Sequence, residues 1–285
     1  MRIRWKTLVA VSALVAMAAL WNAACSQGQG PGVTRAEDGN PDLNGIWQAV
    51  TTANWDIETH QAQAGPHPEV MGAWGAQPGG MGIVEGGTIP YTSEALAEKQ
   101  ENLENRMVVM PSNDPSRFDT GDPELQCYRP GVPRANYMPF PFQIFQNREQ
   151  ILITYEYKGA LRLVNLASNE EAPVGSWMGW SNGRWEGDTL VVDVTGFNGL
   201  AWFDRAGNFA TEALHVVERW TPMGPNHLMY EATIEDPNVY TRPWTISFPI
   251  YRRLEPNVQL MEFNCVPFVE EIMYTPLGLY NPPAR

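Results

Sequence analysis

The chain is short of positive charge and of cysteine, and each shortage excludes a class of function. Lys and Arg number 19 against 32 Asp and Glu, so the formal net charge at pH 7 is −13. Without a basic stripe we expect no nucleic-acid partner, because phosphate backbones are bound by clustered Lys and Arg. The 3 Cys include no CxxC pair, so the usual dithiol redox motif is missing.

Motifs for common cofactors and nucleophiles are missing as well. We find no GxSxG around a serine, no GxGxxG after a predicted strand and no phosphate-binding P-loop. The chain is therefore expected to use no cofactor. His60 and His67 lie near Glu58 and Glu69 in a Gly- and Pro-rich loop, but a metal site needs three or four convergent ligands. We predict no metal site.

Residues 1–25 have the composition of a signal peptide. Positive residues precede an apolar run from Leu8 to Trp21, which is short for a membrane span. Two alanines then precede Cys25, which resembles a bacterial lipoprotein signal in which this Cys is lipidated. Plain secretion and a retained N-terminal anchor are the alternatives. We expect an exported protein, periplasmic or anchored to the outer membrane, that meets membrane only through an N-terminal lipid anchor. Residues 26–40 are expected to form a flexible tether.

Export also sets the expectation for the two remaining cysteines. In an oxidising compartment Cys127 and Cys265 most simply form one disulfide, which would tie the middle of the chain to its last predicted strand. The chain-entropy model gives such a long loop a stabilisation of ~3–5 kcal/mol. A free thiol pair with a redox or metal role is the alternative.

The amounts of glycine and proline favour a turn-rich β protein over a helical bundle. The sequence has 25 Gly and 24 Pro, and one good helical pattern covers Thr92–Arg106, with Thr92 or Ser93 as its cap. Strand patterns begin near Phe142 and recur at regular spacing, at 151–157, 161–166, 178–185, 189–195, 214–221, 227–234, 244–252 and 258–263.

These patterns predict a mainly β fold. We expect an antiparallel, lipocalin-like β-barrel with one short helix and long loops, forming a single domain over 41–285. A β-sandwich is the alternative architecture. The long loops 60–90 and 111–141 are the candidates to cover one mouth of the barrel.

Glu218 stands out because it lies on the otherwise apolar face of a predicted hairpin, formed by Leu214–Thr221 and His227–Ile234. With the turn centred on Gly224, Glu218 would face Tyr230. A carboxyl group in an apolar interior can exchange a proton near neutral pH, as acid–base catalysis requires. The alternatives are that an Arg from another strand neutralises Glu218, or that a bulge turns it outward.

The candidate catalytic residues are Glu218 as the acid or base, Tyr230 as a donor to a developing oxyanion, and His215. His215 lies on the opposite face of its strand from Glu218, near Thr233 in the expected register. A surface or packing role is the alternative for this histidine.

Aromatic side chains are concentrated in the β-rich part and indicate an apolar cavity for a flat or greasy ligand. Arginines beside these rings can meet a ligand carboxylate or stack on a ring. The alternatives are that the Trp residues are core and that the Arg residues form structural ion pairs. The candidate ligand-binding residues are Arg134, Tyr137, Trp177, Trp180, Arg184, Trp185, Trp220 and Arg242.

Two resemblances to known groups follow from short motifs. Asn44-Gly45-Ile46-Trp47 resembles the GxW motif of the lipocalin and calycin group, in which a Trp on the first strand plugs one end of the barrel. Longer matches resemble a large group of exported bacterial proteins without an assigned function. They are PDLxGxW from Pro41, CxRPGVPR at 127–134, GRWEGDTLVVD at 183–193, LHVVER at 214–219, TIEDP at 233–237 and RPW at 242–244.

The second resemblance implies no particular chemistry. In that group a DGR…HP stretch follows the strand that holds Arg162, whereas this chain has NLASNEEAP at 165–173. A role that depends on the missing His is therefore not expected here.

The sequence favours an exported protein that binds a small hydrophobic molecule in a barrel cavity. One alternative is a cofactor-independent acid–base enzyme, an isomerase, lyase or hydratase, with Arg134 or Arg242 holding a substrate carboxylate. The other is a structural or assembly lipoprotein of the envelope, which predicts a filled barrel and an exposed apolar patch. The sequence leaves the oligomeric state open.

Overall fold

The structure is a computed structural model that describes residues 32–65, 76–106, 121–267 and 269. Its described part is mainly β, with nine strands closed into a barrel, one α-helix and long loops. The predicted mainly β barrel is therefore confirmed, and the sandwich alternative is excluded. The predicted signal peptide, Cys25, His67 and Glu69 lie outside the described residues.

The strands and the helix have the following bounds. They are β1 Gly45–Ala49, β2 Gln63–Ala64, β3 Ala76–Gln77, α1 Ser93–Glu104, β4 Phe142–Gln146, β5 Gln150–Tyr155, β6 Leu161–Asn165, β7 Trp180–Glu186, β8 Thr189–Thr195, β9 His215–Gly224, β10 His227–Glu235 and β11 Trp244–Arg252. The barrel runs in the order β1-β11-β10-β9-β8-β7-β6-β5-β4, and β2 pairs with β3 outside it.

A closed barrel with an odd number of strands cannot alternate up and down all the way round. At least one neighbouring pair must run parallel, and here that pair is β6 and β7. The connection between them, residues 166–179, has to travel back along the barrel before β7 begins. The parallel ladder is confined to Val164↔Ser181 and Asn165↔Asn182.

The β9–β10 hairpin differs from its predicted register. Tyr230 pairs with Trp220 and Ala232 with Glu218, because β9 continues to Gly224 and a bulge follows His227. The predicted pairing of Glu218 with Tyr230 was therefore wrong by two residues. A shift of two keeps every side chain on its face, so both side chains still lie inside the barrel.

The predicted last strand, 258–263, is also wrong, since these residues have no strand structure. β11 pairs with β10 on one side and with β1 on the other. The closure by β1 occupies the edge that a further strand at 258–263 would have needed.

The helix α1 is shorter than predicted but has the expected cap. Thr92 Oγ1 accepts a hydrogen bond from the backbone N–H of Ala95 at 3.2 Å. Ala95 is the buried residue of the helix, whereas Leu96 and Leu103 are exposed. Among the described residues no helix is long and apolar enough to cross a membrane.

Aromatic rings in mutual contact fill the barrel interior. Trp220 lies 4.8 Å from Tyr230 and 6.0 Å from Phe142 between ring centroids, and Tyr230 lies 4.9 Å from Phe248. Phe248 in turn meets Tyr137 at 5.8 Å. These edge and tilted contacts make the interior a packed core.

Trp47 closes the end of the barrel that carries the short β7–β8 and β9–β10 turns. It is buried on β1, and its indole N–H donates to the Leu43 carbonyl at 2.8 Å. The Arg252 guanidinium lies 4.2 Å above its ring centre, a cation–π contact.

The predicted disulfide between Cys127 and Cys265 is confirmed, with a Cα–Cα distance of 5.8 Å. It joins the turn that precedes residue 128 to the chain that follows β11. Phe263, two residues before Cys265, packs on Phe140 and Tyr157. The disulfide therefore fixes residues 121–141 against the barrel.

Candidate functional site

A groove of about 850 Å³ lies on the outside of the barrel, along the boundary between β6 and β7. We call it the seam groove. Leu161 and Leu163 of β6 line one wall, and Trp177, Met178 and Trp180 line the other. Leu161 is 62% exposed and Leu163 is 50% exposed, so both present apolar surface to water.

The groove exists because the parallel ladder is so short. β6 and β7 pair at residues 164–165 and 181–182, while 161–163 and 177–180, which precede these pairs in the sequence, do not pair with each other and line the groove. Gly183 permits the close approach at the ladder, since a Cβ there would lie 2.6 Å from Val164 Cγ1.

Hydrogen bonds fix the wall that carries Trp177. The Ser176 N–H donates to the Gly196 carbonyl at 2.9 Å, and the Asn198 N–H donates to the Ser176 carbonyl at 3.0 Å. The Trp177 ring stacks on Tyr128 with a centroid distance of 4.9 Å. The groove is thus preformed, with its aromatic wall held on both sides.

Arg162 and Ser181 form the floor of the seam groove. Both are buried, and Arg162 Nε donates to Ser181 Oγ at 2.9 Å, across the gap between β6 and β7. The two terminal nitrogens of Arg162 donate to the two carboxylate oxygens of Glu218. This bidentate pair holds a charged residue of each sign inside the barrel.

Glu218 is the centre of a wider hydrogen-bond network. Its Oε1 also accepts from Tyr230 Oη at 2.7 Å and from Asn136 Nδ2 at 3.0 Å. Tyr155 Oη donates to Asn136 Oδ1 at 2.9 Å. We call Arg162, Glu218, Tyr230, Asn136, Tyr155 and Ser181 the interior network. It satisfies a buried ion pair from several strands at once.

The electrostatics of the interior network keep its phenols protonated. Burial, followed by the nearby Glu218 charge, raises the pKa of Tyr230 well above its usual value. Burial likewise raises the pKa of Tyr155 to about 12. Burial alone would lower the pKa of Arg162, but the Glu218 charge outweighs it and raises that pKa. The phenols of Tyr230 and Tyr155 are therefore neutral hydrogen-bond donors at neutral pH, and the Arg162 guanidinium is charged.

The structure brings together two of the three predicted catalytic residues. Glu218 and Tyr230 are in contact, while His215 lies on the outer face, where its Nε2 is 3.0 Å from Asp193 Oδ1. His215 also approaches Glu235, which is its register partner in place of the predicted Thr233. Strand alternation keeps His215 away from the interior network.

The predicted aromatic ligand residues are divided between the groove and the core. Trp177 and Trp180 line the seam groove. Trp220 and Tyr137 are fully buried inside the barrel, where Tyr137 Oη donates to the Phe203 carbonyl at 2.7 Å. Trp185 is half-buried and packs on the core.

Arg134 lies at the barrel end opposite Trp47 in a buried cluster of charges. It donates to both carboxylate oxygens of Asp122 and to Glu124, and Arg205 also donates to Glu124. Burial opposes the ionisation of Glu124, but Arg205 and Arg134 lower its pKa to about 2. We call these residues, with Asn54, the capping cluster; it fixes loops over this end of the barrel.

The other two predicted arginines are exposed and lie away from the groove lining. Arg184 pairs with Glu186 at 2.7 Å, and Arg242 donates to the Pro243 carbonyl at 3.3 Å. Among the described residues, no group of three His, Cys, Asp or Glu side chains is placed to hold a metal ion.

Two arginines of the groove, Arg162 and Arg129, were missing from the sequence prediction. Arg162 had a readable signal, because it interrupts the apolar face of its strand as Glu218 does in β9. A single positive charge on one apolar strand face and a single negative charge on another indicate that the two residues form one buried ion pair. Arg129 belongs to the CxRPGVPR motif, but no charge or strand pattern placed it at a groove, since its position depends on the disulfide and on the crossover that carries Trp177.

The fold and the groove together define a closed β-barrel with an external, preformed groove, an architecture compatible with ligand binding. Comparisons of the chain with protein families, with curated proteins and with solved structures found no match.

Proposed function

We propose that the protein is exported and that it binds a small, largely apolar molecule in the seam groove. The observation that carries the proposal is the pair of exposed leucines, Leu161 and Leu163, facing Trp177 and Trp180 across a preformed groove. The sequence had suggested a cavity inside the barrel, where the structure has the rings of Trp220, Tyr230 and Phe248 in mutual contact. The proposed position of the ligand is therefore outside, at the seam.

The energetics of the groove support this proposal. Burying a fully exposed Leu side chain is worth ~1.5–3 kcal/mol, and Leu161 and Leu163 each have half or more of that surface still exposed. Flat aromatic rings add contact area at little entropic cost. The walls are held by hydrogen bonds and by the stack on Tyr128. A ligand would thus gain apolar contact without ordering the site first.

The test is titration with the neutral fluorescent probe N-phenyl-1-naphthylamine. The double variant Leu161→Ser, Leu163→Ser should bind it about tenfold or more weakly, because both wall contacts are lost. Phe145→Ser is the matched control, since Phe145 is 47% exposed on β4 outside the groove lining. Equal binding by the wild type and the double variant would contradict the proposed site.

An acid–base enzyme is the second candidate, and the 2.7 Å contact between Tyr230 and Glu218 favours it. Glu218→Gln should lower turnover by ~10²-fold or more if Glu218 transfers a proton. If the protein only binds a ligand, the same Glu218→Gln variant should keep its affinity for N-phenyl-1-naphthylamine within a few fold. The Tyr230→Phe variant separates the roles, because it removes the phenol and leaves the Arg162 pair intact.

A third candidate is a structural or assembly protein of the cell envelope. The packed interior and the exposed apolar side chains Phe145, Leu161 and Leu163 favour it. Such a protein should lose a partner in cross-linking experiments on intact cells when Phe145 is changed to Ser. The small-molecule proposal expects no such loss, because Phe145 lies outside the seam groove.

A further inference from the structure

The seam groove is lined by two guanidinium groups that differ in their availability. Arg162 is buried, and both of its terminal nitrogens are occupied by Glu218. Arg129 is exposed, and none of the described residues holds its side chain in an ion pair or a hydrogen bond. Arg129 is therefore the cation of the groove that can take a new anionic partner.

The backbone around Arg129 is fixed in place. Cys127, two residues earlier, is held by the disulfide to Cys265. Tyr128 stacks on Trp177 of the groove wall. Gly131 has a φ of +74° and packs so closely that a Cβ would lie 2.7 Å from Ala201 Cβ. A cation on such a fixed segment costs little ordering when a ligand binds.

The groove has a second charge of opposite sign, Glu170, at a different point along its length. The Glu170 backbone carbonyl accepts a hydrogen bond from Asn182 Nδ2 at 2.8 Å, which places it beside the parallel ladder. Arg129 also lines the groove and follows Tyr128, whose ring stacks on Trp177. The chain thus brings Arg129 to the groove next to the Tyr128–Trp177 stack and Glu170 next to the parallel ladder.

We propose that the groove takes an apolar molecule with one carboxylate, and that Arg129 binds this carboxylate. The inference rests on the proposed function, since it names the ligand class for the same groove. The apolar body covers Leu161, Leu163 and Trp180, and the carboxylate lies at the Trp177 end. Guanidinium and carboxylate match each other in shape and charge.

The experiment compares dodecanoate with 1-dodecanol, which share a chain and differ in the head group. Binding is followed by calorimetry at a pH at which the acid is ionised. The wild type should bind the acid about tenfold more tightly than the alcohol, since a charge-assisted hydrogen bond is involved. Arg129→Gln should abolish this preference and leave the alcohol unchanged, and Arg129→Lys should retain part of it.

Two matched variants sharpen the result. Arg242→Gln removes another exposed arginine that lies outside the groove lining, and it should keep the full preference for the acid. Glu170→Gln removes the negative charge of the groove and should strengthen acid binding up to a few fold. If Glu170→Gln bound dodecanoate more weakly than the wild type does, the proposed arrangement of charges along the groove would be contradicted.

The two possible failures are distinguishable. If acid and alcohol bind the wild type equally, and the leucine double variant weakens both, the groove is a ligand site and the carboxylate inference is overturned. If Arg129→Gln keeps the preference for the acid, the inference is likewise overturned. If the leucine double variant binds both probes as the wild type does, the proposed function itself fails.

Discussion

Two pairs of neighbouring strands in the barrel, β9–β10 and β6–β7, are joined by ladders of very different length. Between β9 and β10 the antiparallel ladder runs from the His227↔Gly224 pair to the Glu235↔His215 pair. Between β6 and β7 it is confined to Val164↔Ser181 and Asn165↔Asn182. One side is therefore held by backbone hydrogen bonds along its length, and the other depends on side chains.

The difference teaches where a site can form in such a barrel. Arg162 crosses the short seam to donate hydrogen bonds to Ser181 and Glu218. Side-chain hydrogen bonds of the interior network therefore join β6 to β7 and to β9 where backbone hydrogen bonds are few. Outside that network, the uncovered walls provide the seam groove. The candidate site lies where the strand count forces a parallel pair.

The largest effect is expected from breaking the interior network. Arg162→Met leaves Glu218 buried without a cation, which should cost ~3–5 kcal/mol in the free energy of unfolding. Adding Glu218→Leu removes the stranded charge and should recover much of that loss. Urea denaturation measures both changes.

The control for this prediction is Arg184→Met on β7. Its guanidinium pairs with Glu186 at the surface, where such pairs contribute ~0–1 kcal/mol. If Arg162→Met proves as mild as Arg184→Met, the interior network does not close the seam.

The next effect comes from crowding the seam directly. Gly183→Ala places a Cβ 2.6 Å from Val164 Cγ1 and 2.8 Å from Leu166 Cδ2, and such overpacking costs ~1–3 kcal/mol. Gly224→Ala, at the end of β9, meets nothing within 4 Å and should change stability by less than about 0.5 kcal/mol. Thermal denaturation of the two variants compares the two sides with the same substitution.

The pH dependence of the free energy of unfolding tests the loops at the barrel end that carries the capping cluster, where Asp204 is buried, separately from the seam. Burial, with the charge of Asp56, raises its pKa from 3.8 to about 7. The stabilisation of the folded state by protonated Asp204 is fully present below about pH 3.8 and is lost as the pH rises through 7. We expect a loss of about 1–3 kcal/mol over that window. Asp56→Asn should reduce the loss, and an unchanged pH profile would contradict this assignment.

Glu124 of the capping cluster has the opposite effect on how stability changes with pH. Arg205 and Arg134 outweigh burial and lower its pKa from 4.5 to about 2. Its stabilisation is present above pH 4.5 and is lost as the pH falls towards 2. Acid unfolding should therefore shift to higher pH in Glu124→Gln. A midpoint that does not move would show that Glu124 contributes little.

Local patterns predicted much of the fold. Alternation in each strand gave the barrel and the inward face of Glu218, and the Thr92 cap located the helix. Two cysteines in a chain that we expect to be exported predicted the disulfide. These features depend on neighbours in the sequence or on simple pairing.

The rest depends on closure, which no single segment encodes. The shift of the β9–β10 register arises from a bulge at the turn. The loss of the predicted strand 258–263 follows from β1 taking the free edge of β11. The pairing of Arg162 with Glu218 needs the strands between them to curve into a barrel. The seam groove likewise appears only once β6 and β7 are brought together as neighbours.

Hydrogen exchange with and without dodecanoate tests the central claim most directly. Free protein should exchange faster at 161–165 and 176–182 than along β9 and β10, because few ladder hydrogen bonds protect the seam. Dodecanoate should slow exchange at those seam residues and leave the β9–β10 ladder unchanged. Protection centred on the barrel interior or on the capping cluster, with none at the seam, would contradict the account.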